Sequence, residues 1–186
     1  MKITVLSGTN REGSYTLRVA TQIAQRYAQI DGVEVSLLDL RDLPSAALLP
    51  SAYDIKPAEL APLIDAVVGC DGLHVVTPEY NGGFPGALKV FIDMLPFPIA
   101  FERRAVAFTG VANGRWGALR PVEQLQQIFA YRNAFQFAER VFLPAVKSSL
   151  TEDHSPADAF VNDLLHQQVR GFARFVEALE GQRAPL

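Results

Sequence analysis

Residues 1–16, MKITVLSGTNREGSYT, decide how this chain is read. KITVLS, residues 2–7, has the short apolar character of a buried strand. SGTNREGSYT, residues 7–16, follows at once with one Arg, two Gly, four hydroxyl side chains and a Tyr. A helical pattern then begins, with Leu17, Ala20, Ile23, Ala24 and Tyr27 on one face. Two readings of the turn stand side by side. Ser14 can be a plain N-cap with Gly13 in the bend. The loop can also hold an anion, because a helix start presents unpaired N–H groups and partial positive charge. Ser7, Thr9, Ser14 and Thr16 would add hydroxyl donors, and Arg11 a fixed cation.

Strand and helix patterns alternate along the rest of the chain. VEVSLLDL, GLHVVT and RAVAFTG read as strands two to four, and FQFAERVFLPAV holds a fifth. Between them lie helical patterns: PAELAPLIDAVVGC, with Pro57 near its start, FPGALKVFIDML, with Pro85 in its first turn, and RPVEQLQQIFAY. The last helix should open at Ser155 as N-cap and Pro156. It should bury Phe160, Leu164, Phe172, Phe175, Val176 and Leu179. Five strands alternating with five helices predict an α/β fold: a five-stranded parallel sheet covered on both faces, in three layers. Residues 1–186 are expected to form one domain, and the Pro-rich stretch 44–57 a surface excursion.

Composition narrows the function classes. Of 186 residues 49% are hydrophobic and 20% charged, with a formal net charge of −3, which is ordinary for a globular protein. No basic stripe points to nucleic acid. Cys70 stands alone, so neither an internal disulfide nor a cysteine metal pair is available. No secretory leader and no membrane-length apolar run is present, so the expected setting is the cytoplasm.

Spacing rejects two familiar phosphate loops. Gly8 and Gly13 stand as in a P-loop, but Ser14 and Tyr15 occupy the positions that need Lys and a hydroxyl residue. A dinucleotide fingerprint would need Gly where Asn10 stands. A hydroxyl-rich loop suits a mononucleotide monophosphate such as FMN. The loop after strand three, TPEYNGGFPGALKVFID (residues 77–93), fits that idea. In the order 2-1-3-4-5, strands one and three flank the switch point where ligands sit.

Together SGTNREGSYT and PEYNGGFPGALKVFID resemble the NADPH-dependent FMN reductase family, flavodoxin-like quinone, azo and chromate reductases. Its usual motifs are G-S-x-R-x-x-S and P-E-Y-N-x-x-x-P-G-x-L-K-N-x-x-D. Here Thr9 replaces Ser, Tyr15-Thr16 stand where Thr or Asn is common, and Val90 replaces Asn. LLDLRDLP, residues 37–44, is similar to the family's segment after strand two. The resemblance implies a flavodoxin-like sandwich in the order 2-1-3-4-5. It implies FMN and NADPH or NADH as cofactors, and a homodimer or homotetramer. It places Ser7, Thr9, Arg11, Ser14, Tyr15 and Thr16 around the phosphate, and Pro78, Glu79, Tyr80, Asn81 and Gly82 along the isoalloxazine. A third loop, TGVANGRWGALRP, would bring Gly110, Gly114, Arg115, Trp116 and Gly117 near the flavin's pyrimidine end.

The implied activity is transfer of hydride from the nicotinamide to flavin N5, then of two electrons to a small-molecule acceptor: a quinone, azo, nitro, metal-oxyanion or flavin compound. No acid or base catalyst is assigned. A flavodoxin-type single-electron carrier and a flavin-binding sensor are the alternatives. Several residues carry a plainer reading as well. Glu79 can simply order its loop, His74 reads as structural, His154 and His166 as surface, and Cys70 as a small buried hydrophobe. Trp116 fits flavin contact, subunit contact or packing. Lys89 and Asp93 have the spacing of an exposed ion pair. MLPFPIAF, residues 94–101, is either core or an apolar patch that a partner covers.

Overall fold

A computed structural model describes residues 1–180; residues 181–186 of the expected domain lie outside the described residues. The strands are β1 (Lys2–Ser7), β2 (Glu34–Asp39), β3 (Gly72–Pro78), β4 (Ala105–Val111), β5 (Phe135–Gln136) and β6 (Val141–Leu143). The helices are α1 (Tyr15–Tyr27), α2 (Ala61–Val68), α3 (Gly86–Met94), α4 (Leu119–Tyr131) and α5 (Ala159–Ala178). All strand pairs are parallel, in the order β2-β1-β3-β4-β5, with β6 also on β4. This is the expected flavodoxin-like arrangement with one strand more than anticipated.

Successive residues of each central strand face opposite sides, as the pleat requires. Ile3, Val5, Ala105 and Ala107 join one apolar cluster with Val19, Ile23, Val169 and Phe172 of α1 and α5. Leu6, Leu73, Val75, Val106 and Phe108 join the other, with Leu63, Leu88, Phe91, Leu125 and Phe129 of α2, α3 and α4. β3 and β4 are buried throughout, so their sequences read as continuous apolar runs.

The fifth position of the sheet is divided. β5 pairs with Ala105–Val106 at the start of β4, and β6 with Thr109–Val111 at its end. Between them a side chain replaces a strand. Gln168 Nε2 of α5 donates to Phe108 O at 2.8 Å and to Glu139 O at 3.0 Å. The α5 expectation also needs correction. Asp158, not Ser155, caps the helix, accepting from Phe160 N at 2.8 Å. The Ser155 hydroxyl donates to Asp153 Oδ2 at 3.0 Å instead. Phe160 is 70% exposed rather than buried. It precedes the inward Leu165 by five residues, about 140° around the helix. α2 is likewise shorter than its pattern, with a 3-10 turn over Ala58–Leu60 before it. The excursion 44–57 is made of further short 3-10 turns. Within residues 94–101, Met94, Leu95, Ala100 and Phe101 are core, whereas Phe97 and Ile99 are exposed by 55% and 56%.

A chain of buried polar groups crosses the sheet. Tyr27 OH meets His74 Nδ1 at 2.9 Å, and His74 Nε2 meets Thr109 Oγ1 at 2.8 Å. Thr109 Oγ1 donates to Gln168 Oε1 at 2.7 Å. Because the Thr109 proton is committed to Gln168, Nε2 must carry the imidazole proton and Nδ1 must accept from Tyr27. Every member is then satisfied with neutral groups, as a buried network demands. Burial lowers the His74 pKa from 6.5 to about 3.

The folded protein therefore keeps His74 neutral where the unfolded chain protonates it. The corresponding stability is complete above pH 6.5 and is lost as pH falls toward 3. The slope is about 1.4 kcal/mol per pH unit. Urea unfolding at pH 7 and pH 5 should show the wild type losing about 2 kcal/mol more than His74→Gln. Equal losses would contradict the buried neutral imidazole. Tyr27→Phe, which leaves Nδ1 without its donor, should destabilise the fold by about 1–3 kcal/mol at neutral pH.

Candidate functional site

The strand order reverses at β1, which pairs with β2 on one side and β3 on the other. The loops leaving β1 and β3 therefore open at one crevice. Gly8 sits at their junction. Its N–H donates to Val76 O at 2.8 Å. A Cβ there would lie 2.8 Å from that same oxygen and 3.0 Å from Leu88 Cδ2. Only glycine lets the first loop leave this close to β3. Gly13, at φ +63, then turns the chain into α1.

Ser14 is the α1 N-cap, its Oγ accepting from Leu17 N at 3.2 Å. Accepting there leaves the hydroxyl proton free to donate outward. Thr16, almost wholly buried, makes no side-chain hydrogen bond within the described residues, yet it lines the cleft. The cleft has a volume of about 390 Å³. Arg11, Ser14, Tyr15, Thr16, Pro78, Glu79 and Tyr80 line it, all expected site residues. Glu12, Gly13, Val111, Ala112, Asn113, Val146 and Lys147 line it too and were not expected.

The second loop closes on itself. Tyr80 N donates to Gly83 O at 2.8 Å and Gly83 N to Tyr80 O at 3.1 Å. Asn81 (φ 54) and Gly82 (φ 78) form the two-residue bend between them, the pattern Asn-Gly favours. The backbone N–H groups of Asn81 and Gly82 make no hydrogen bond within the described residues. Tyr80 OH and Thr9 Oγ1 lie 2.9 Å apart, which ties the two loops together. Thr9 Oγ1 also accepts from Arg11 N at 3.3 Å.

Other expected residues are placed elsewhere. Ser7 is sealed behind the loop, and its Oγ is the buried side-chain polar atom without a partner among the described residues. Thr9 is buried against Tyr80 rather than lining the cleft. Gly110 and Gly117 meet each other: a Cβ on Gly110 would lie 2.3 Å from Gly117 O. A Cβ on Gly117 would lie 2.9 Å from Phe142 Cβ. These glycines let the third loop fold back over β4 and β6. Gly114, Arg115 and Trp116 stand at its tip in solvent, Trp116 65% exposed. None of the five lines the cleft, nor do Asn81 and Gly82. Lys89 and Asp93 form the expected exposed ion pair, at 2.7 Å.

A larger cleft of about 640 Å³ lies at the opposite end of the sheet, beside Met1, Gly32, Asp71 and Ala105. It mixes Arg103, Arg170 and Arg174 with Asp31, Glu177 and Glu180. The smaller cleft combines a helix start, free hydroxyls and the switch point, and chemically it is the better ligand site. Its donor set fits a phosphate monoester at α1, and the adjoining ends of β3 and β4, Pro78–Tyr80 and Val111–Asn113, complete its lining. Among the described residues no helix is long and apolar enough to cross a membrane.

Comparison with known proteins gives the family of the chain. The chain is 32% identical over 129 residues to the NADH:(hydroxy)cinnamate reductase subunit CrdA of Vibrio ruber, covering 69% of this chain and 62% of that subunit. It thus spans less than two thirds of that relative. It is 26% identical over 193 residues to a quinone reductase of Escherichia coli, with 97% of each chain covered. In fold it is similar to FerB, a flavoenzyme NAD(P)H:(acceptor) oxidoreductase from Paracoccus denitrificans. That likeness has a TM-score of 0.76 at 22% identity, over 95% of this chain and 97% of that one. The family model described as NADPH-dependent FMN reductase matches residues 1–147. With that match covering most of its length, the chain belongs to the NADPH-dependent FMN reductase family.

Proposed function

We propose that the cleft holds FMN with its phosphate at the start of α1 and its isoalloxazine along Pro78–Gly82. The chain would then pass two electrons from NADPH or NADH to a small-molecule acceptor of the quinone or azo class. The observation that carries this reading is the convergence of Arg11, Ser14 and Thr16 with Pro78, Glu79 and Tyr80 in one cleft. FMN would supply the redox chemistry, accepting hydride at N5 and returning two electrons to the acceptor. The protein's part is to bind and orient.

The reading gives each element a part. The unpaired N–H groups of the first turn of α1 and the free Ser14 and Thr16 hydroxyls would hold the phosphate oxygens. Arg11 adds a cation. The uncommitted N–H groups of Asn81 and Gly82, fixed by the Tyr80–Gly83 turn, would meet the pyrimidine edge of the ring. Dipoles preorganised there favour negative charge as it develops. The Thr9–Tyr80 contact keeps the phosphate loop and the ring loop at a constant separation. No acid or base is needed, and none is assigned. The same reading takes residues 1–186 as one domain, assembled as a dimer or tetramer through surface that includes Phe97 and Ile99.

Ser14→Asp separates binding from folding. Aspartate caps a helix as well as serine does and suits its positive end. The apoprotein should keep its melting temperature, while FMN affinity falls by more than about tenfold as carboxylate meets phosphate. Riboflavin binding should hardly change. FMN affinity equal to that of the wild type would contradict the phosphate assignment. Steady-state rates with NADPH and a quinone should give parallel double-reciprocal lines, since nicotinamide and acceptor would use one open ring face in turn. Intersecting lines would count against that shared face.

A further inference from the structure

The segment that leaves β6 brings a second cation to the cleft. Lys147 shares the lining with Ser14, Tyr15 and Thr16. Its backbone is held from both sides. Ala112 N donates to Leu143 O at 3.0 Å and Val146 N to Ala112 O at 3.1 Å, which fastens the segment to the end of β4. Ser148 N and Ser149 N both donate to Ala145 O, at 2.8 and 3.1 Å, and Ser149 Oγ donates to Pro144 O at 2.9 Å. The segment is also bound to α1. Tyr15 joins the apolar cluster that contains Val146 and Leu150, and Gln22 Nε2 donates to Asp153 O. Lys147 thus extends from a fixed turn beside the first turn of α1.

The charged residues lining the cleft are Arg11, Glu12, Glu79 and Lys147. Among the described residues no carboxylate lies within ion-pair distance of Arg11 or Lys147. Neither cation of the cleft is tied up in an ion pair there, so both are free to meet an anion. A phosphate monoester, with nearly two negative charges near neutral pH, would offset both.

We infer that Lys147 acts with Arg11 to bind a phosphate monoester in this cleft. The inference rests on the cleft being the FMN site. Two phosphates have this chemistry: the 5′-phosphate of FMN and the 2′-phosphate that distinguishes NADPH from NADH. Lysine suits either, as a compact charge on a flexible stem that needs no bidentate geometry.

The test compares Lys147→Met and Lys147→Arg with the wild type. Lys56→Met, an exposed lysine outside the cleft, controls for net charge. Flavin fluorescence gives dissociation constants for FMN and riboflavin, and the FMN-loaded protein gives KM for NADPH and NADH. If Lys147 holds the flavin phosphate, Lys147→Met weakens FMN binding about five- to tenfold, leaves riboflavin unchanged, and Lys147→Arg restores affinity. If it reads the nicotinamide cofactor, FMN binding is unchanged and KM rises for NADPH but not for NADH. Equal weakening of FMN and riboflavin would overturn the inference, because shape rather than charge would be at stake. So would FMN and NADPH values matching those of Lys56→Met. A wild type that binds no FMN would sink the FMN reading and this inference with it. A wild type that binds FMN, with neither FMN affinity nor the KM for NADPH changed in Lys147→Met, sinks the inference alone.

Discussion

The site depends on how closely β1 ends against β3. Gly8 donates to Val76 O at 2.8 Å, and its missing Cβ leaves room for that carbonyl and for Leu88. Any side chain there would force the first loop away from the second. The parallel register of β1 with β3, from Ile3 on Gly72 to Ser7 on Val76, then delivers both loops to the same edge. The lining of the smaller cleft follows from that meeting: the start of α1 from one strand and Pro78–Tyr80 from the next.

The rest of the sheet gives this junction a firm base. The polar chain from Tyr27 through His74 and Thr109 to Gln168 joins α1, β3, β4 and α5 beneath the loops. It is neutral throughout, which avoids the cost of a buried charge. Gln168 also stands in for a strand between β5 and β6, so the end of β4 stays paired up to the third loop. Rigidity below and free donors above suit the FMN site proposed for this cleft.

Much of this was legible in the sequence, and the exceptions have physical causes. The buried runs of β1, β3 and β4 and the two motif loops stand out because strands covered on both faces are continuously apolar. The divided fifth position was not legible. Two strands of two and three residues carry too little pattern, and the side chain that bridges them lies about thirty residues further on. Phe160 misled because it stands in the first turn of α5, about 140° around the helix from the inward Leu165, and so faces solvent. The glycines of the third loop were recognised, but Gly110 and Gly117 serve close packing of the backbone. Lys147 gave no local signal. It reaches the cleft only because the β6 turn is tied to α1, more than a hundred residues earlier.

An anaerobic titration of the FMN-loaded protein with NADPH, followed by its visible spectrum, tests the central claim most directly. The account predicts that the yellow absorbance bleaches with about one equivalent and without the long-wavelength absorbance of a one-electron state. A flavin that binds yet is reduced by neither NADPH nor NADH would contradict it.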